Sequence, residues 1–113
     1  MDYLSISNDE HLAMLAESLI AREAELFNYN LNIANYERIL EKLPDGESPV
    51  DATYLEQDSY KFAAELRQRV VTERIQRARS LCVYDAIISQ LPSDTVQRQE
   101  LIAAAKSRIS TAA

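Results

Sequence analysis

The chain is poor in residues that break or cross-link a fold. Its 113 residues include one glycine, three prolines, one cysteine and one histidine. So little turn-forming material excludes a β-rich or loop-rich domain, which needs glycine or proline at its reversals. The lone Gly46 cannot build a P-loop or a glycine-rich dinucleotide motif. The lone His11 excludes the paired Glu-x-x-His ligands of a di-iron bundle and, with a single Cys82, a Cys/His zinc site. No disulfide framework is possible. Cys82 lies in an apolar run with no histidine placed to activate it, so it is expected to fill a small core position. No run approaches the roughly 18 apolar residues of a membrane span. Met1-Asp2-Tyr3-Leu4-Ser5 lacks the basic and apolar regions of a signal peptide. A reducing cytoplasm is the expected compartment.

Hydrophobic residues make up 47% of the chain and charged residues 27%, which suits a folded single domain over residues 1–113. The net charge of −6 weighs against nucleic acid or an anionic membrane as partner.

The strongest pattern is a ladder of aliphatic residues seven apart: Leu12, Leu19, Leu26, Ile33 and Leu40. Three residues beyond each rung lie Leu15, Arg22, Tyr29, Tyr36 and Leu43. This a/d heptad pattern describes one long helix that buries a seam. Ser7 with Glu10 forms a capping-box pattern at its start, and Leu43-Pro44-Asp45-Gly46 stops it. The period-two alternation through Phe27–Ile33 marks the place where a kink would fall.

A second helix is expected from Thr53-Tyr54-Leu55-Glu56, another capping box, to Leu91-Pro92. Its seam reads Leu55, Phe62, Leu66, Val70, Ile75, Ala78, Leu81, Tyr84, Ile88 and Leu91. Ser93-Asp94 caps a third helix that frays near Ser110. The expected fold is therefore all-α: two long antiparallel helices over about 9–43 and 52–91, an interhelical loop at 44–51, and a short helix over about 94–110. The first helix would be about 52 Å long at 1.5 Å per residue, so the expected molecule is elongated. Counting outward from the loop sets Glu17, Glu23 and Glu25 level with Arg79, Arg74 and Arg69.

The short third helix can cover only the half of the hairpin that holds the chain termini. The other half carries most of the aromatics, and the first helix has a second apolar stripe at Ile20, Ala24, Phe27, Leu31 and Ala34. That stripe lies roughly 120° around from the ladder, where one neighbouring helix cannot bury it. The candidate interface is Phe27, Tyr29, Leu31, Ile33, Tyr36, Tyr54, Tyr60 and Phe62. Self-association as a homodimer is the first expected use of it, and binding a different protein the second.

Catalytic chemistry is not announced. Glu23, Glu37 and Glu41 fall near one face of the first helix, as scattered solvated carboxylates do. Arg67, Arg74 and Arg77 share a face, but Glu65 and Glu73 interrupt any phosphate-binding stripe. No cofactor or metal is expected. An acidic mimic of nucleic acid is a weaker alternative, because Arg22 and Arg38 break the acidic surface.

The stretch Phe27-Asn28-Tyr29-Asn30-Leu31-Asn32-Ile33-Ala34-Asn35-Tyr36, followed by Ile39, Leu40 and Leu43-Pro44, resembles segments of small all-helical bacteriophage proteins. The resemblance covers under a fifth of the chain and carries no catalytic motif. It implies a non-enzymatic protein that binds and inhibits a host factor or defence system, acting in the host cytoplasm, or a structural component that assembles into a helical oligomer.

Overall fold

The computed structural model describes residues 8–112. They form three helices: α1 (Asn8–Leu40), α2 (Tyr54–Gln90) and α3 (Thr95–Ala112), with no strand among the described residues. The fold is all-α, as the heptad pattern required. α1 runs unbroken through the Asn-rich segment, so the alternation there is not a strand and not a break. The cap expected at Ser7 and the aromatic Tyr3 lie outside the described residues.

Helix ends follow local chemistry. Thr53 and Glu56 form a reciprocal capping box: the Thr53 amide donates to Glu56 Oε2 at 3.1 Å, and the Glu56 amide donates to Thr53 Oγ1 at 3.2 Å. Asp94 Oδ1 accepts from the Gln97 amide at 2.9 Å and caps α3. α1 ends three residues earlier than expected. Lys42 and Leu43 donate to the carbonyls of Ile39 and Leu40, a tightened last turn before Pro44. Gly46 then takes a positive φ of 79°.

The chain packs as two units. One joins everything up to Leu26 with everything from Ser80 onward; the other is Phe27–Arg79. The first holds parts of α1 and α2 and the whole of α3, and is called here the three-helix unit. Its core is Leu19, Ile87 and Leu91, packed by Leu12, Leu15, Tyr84, Ile88, Leu101 and Ile102. Ala16 and Ala105 are wholly buried. Arg108 Nε donates to Glu17 Oε1 at 2.6 Å and ties α3 to α1 beside them. The two-helix unit holds the remainder of α1 and α2 with the loop between them. Its buried residues are Ile33, Ala63, Leu66 and Val70.

Every ladder position on α1 is buried or half-buried, Leu12 through Leu40 and Leu15 through Tyr36 alike. The seam of α2 differs from expectation. Leu66, Val70 and Leu91 are buried and Tyr84 and Ile88 half-buried, but Leu55, Phe62, Ile75, Ala78 and Leu81 are exposed. The true register is the heptad Ala63, Val70, Arg77, Tyr84, Leu91 with Leu66, Glu73, Ser80, Ile87, none of which is exposed. Three polar residues occupy its middle, so following hydrophobicity alone slips off the seam. Cys82 falls outside this register and is exposed rather than buried.

Candidate interaction surface

The eight candidate interface residues all belong to the two-helix unit, and the helical period divides them. Tyr29, Ile33 and Tyr36 are ladder residues of α1. Ile33 is 5% exposed, and Tyr29 and Tyr36 are half-buried in the seam. Tyr60 is half-buried on α2. The other four face water: Phe27 at 66% and Leu31 at 48% exposure on α1, Tyr54 at 79% and Phe62 at 47% on α2. Phe27 and Leu31 are one turn apart on the second stripe of α1. Leu55, Val71 and Ile75 of α2 are also exposed. Hydrophobic spacing puts Leu55 and Ile75 in the seam, and only the correct heptad register of α2 places them outside it.

One stripe of α1 behaves differently in the two units. In the three-helix unit Ile20 of this stripe is half-buried and Ala16, one turn before it, is buried, while Ala24 is exposed. In the two-helix unit the same row continues as Phe27, Leu31 and Ala34, all exposed.

The helices of the two-helix unit are cross-linked by polar groups as well as by the buried Ile33, Ala63, Leu66 and Val70. Arg74 Nη2 pairs with Glu37 Oε1, and Arg77 Nη1 donates to Asn30 Oδ1 at 2.9 Å. Both partners of the ion pair are about half-exposed, so it is worth at most about 1 kcal/mol. Glu73 Oε2 is buried in the seam without a hydrogen-bond partner. The ion pairs expected from counting are replaced by others: Glu37 takes Arg74, and Glu17 takes Arg108. Glu25 Oε2 accepts from Arg22 Nη1 at 2.7 Å and from Ser80 Oγ at 3.0 Å. Glu23 faces the Tyr84 hydroxyl at 3.5 Å. Counting outward from the loop failed because residues 41–53 are not a tight reversal.

Among the described residues two ionisable groups are shifted, both in the three-helix unit. The Ser80 hydroxyl, then Arg22, hold Glu25 below the ordinary carboxylate range. Desolvation, then the Glu23 carboxylate, push the Tyr84 phenol up. Among the described residues there is no pocket and no acidic, histidine or cysteine group that could hold a metal ion. No helix there is long and apolar enough to cross a membrane. The arrangement is therefore an exposed apolar helical row, on helices joined by one ion pair and one arginine–asparagine hydrogen bond. No protein-family model, no curated protein and no solved structure matches the chain.

Proposed function

We propose that this protein is a non-enzymatic protein-binding module whose recognition surface is the second stripe of α1 in the two-helix unit, centred on Phe27 and Leu31. The observation that carries this reading is the exposure of Phe27 at 66% and Leu31 at 48%, one turn apart on a row whose Ile20 is half-buried in the other unit. A helix that offers large apolar side chains at i and i+4 presents the anchors of helix-in-groove recognition. Phe27 supplies an aromatic anchor, the type enriched where binding energy concentrates. Tyr29 and Tyr36 brace this surface from the seam. The resemblance of residues 27–44 to phage helical proteins makes a bacterial host protein the first class of partner to try, with inhibition as the consequence of binding.

The test is a capture experiment with host extract and two double variants. Phe27→Asp with Leu31→Asp should lose the captured protein while circular dichroism stays helical. Tyr54→Ala with Phe62→Ala should retain it. Capture that survives the first pair would sink this reading.

A further inference from the structure

The contacts of the two-helix unit fix the register of its helices. Glu37 meets Arg74 and Asn30 meets Arg77, so each step up α1 is a step down α2. Carried on to the end of α1, Leu40 comes level with α2 between Arg67 and Val71. The first 13 or so residues of α2, about 20 Å of helix, therefore have no α1 beside them. The loop takes its place on one side. Gln57 Nε2 donates to the Ala52 carbonyl and the Ala52 amide to the Pro49 carbonyl, which fastens the loop to the start of α2. Ala63 and Leu66 are buried there, and Ser59 and Tyr60 half-buried.

The other side stays open. Tyr54, Leu55, Asp58, Lys61, Phe62 and Glu65 are all exposed and form one stripe at i, i+1, i+4, i+7, i+8 and i+11. Leu55 is 79% exposed, yet it lies on the row 55–59–62–66–70 that becomes the buried seam. The apolar face of α2 thus runs on past the helix that covers it.

We infer that a second copy of this chain covers this stripe, through an antiparallel pairing of the two α2 starts about a twofold axis near Ser59. The stripe is complementary to itself in that orientation. Leu55 meets Phe62 of the second copy, and Phe62 meets its Leu55, which extends the seam. Asp58 meets Lys61, and Tyr54 can donate its hydroxyl to Glu65. Each contact occurs twice by symmetry. A parallel pairing would set Asp58 against Asp58 and Lys61 against Lys61, so charge selects the antiparallel one. The area involved, under four helical turns, belongs to small interfaces, and the dimer should be concentration-dependent. Phe27 and Leu31 take no part, so this inference and the proposed binding of another protein fail separately.

Sedimentation equilibrium over a concentration series tests it. The unchanged chain should show a monomer–dimer equilibrium. Asp58→Lys and Lys61→Asp should each weaken it at least tenfold, because each sets like charges against one another where position 58 of one copy meets position 61 of the other. An equimolar mixture of the two variants should associate again. Both positions are exposed, so helicity should not change. A chain that is monomeric throughout the series overturns the inference. So does a dimer that ignores both charge changes, or one abolished only by Phe27→Asp with Leu31→Asp.

Discussion

Two helices pass through both units, and the units bury them by different means. In the three-helix unit α3 closes a cluster around Leu19, Ile87 and Leu91, and Ile20 of the second stripe of α1 is half-buried. In the two-helix unit Ile33, Ala63, Leu66 and Val70 are buried with no third helix over them, and Arg74–Glu37 and Arg77–Asn30 span the helices. A pair of helices has one shared seam. Any apolar row more than about a quarter-turn from that seam must find a third element or face water. The same helix therefore makes a core in one unit and a surface in the other.

The sharpest way to test that contrast is a deletion in each core. Leu19→Ala should cost about 3–5 kcal/mol, since Leu19 is 1% exposed inside a three-sided cluster that cannot collapse into the gap. Ile33→Ala should cost less, about 2–3 kcal/mol, because a two-helix seam can close on its cavity and admit water. Urea denaturation of both variants measures the difference. Equal losses would mean that the two-helix unit is as tightly enclosed as the other.

A second test exploits the polar middle of the α2 seam. Ser80 is buried but donates to Glu25, whereas Glu73 Oε2 is buried with no partner. Glu73→Leu extends the row of Leu66 and Val70 and removes the orphan oxygen. It should raise stability by about 1–2 kcal/mol. Ser80→Ala should lower stability by about 1 kcal/mol, because it removes a satisfied bond to a charged acceptor. A thermal melt that moves the same way for both would show that partnering does not distinguish these two sites.

How much of this was legible depended on which helix carried the message. α1 has apolar residues at nearly every a and d position, with Arg22 the one charge, so its buried face could be read directly. The second stripe was legible for the same reason: Phe27 and Leu31 lie well away from the ladder and are exposed. α2 was not legible. Glu73, Arg77 and Ser80 sit where the heptad needs apolar residues, and Ile75, Ala78 and Leu81 sit outside it. A search for hydrophobic spacing takes the wrong row through that region and carries Cys82 inward with it. The tyrosines misled differently. Tyr29, Tyr36 and Tyr60 can rest their rings in a seam and keep a hydroxyl in water, so aromatic identity alone did not separate them from Tyr54. The helix register was hidden in the loop, whose 13 residues fold along α2 instead of reversing at once.

The smallest effect concerns Glu25, and it belongs to the three-helix unit alone. Its carboxylate is half-exposed and held below the ordinary range, first by the Ser80 hydroxyl and second by Arg22. A carboxylate with a lowered folded pKa contributes stability at pH values above its unfolded pKa of about 4.3, and the contribution disappears as pH falls through the folded value. The gap in melting temperature between the unchanged chain and Ser80→Ala should therefore be steady near neutrality and narrow below about pH 4. Arg22 is partly solvated, so added salt should trim its share of the effect but leave the Ser80 bond in place. A gap that stays constant into acid would mean that Ser80 stabilises by packing against α1 rather than through the charge on Glu25. The seam's two polar sites, Ser80 and Glu73, would then differ in shape and not in hydrogen bonding.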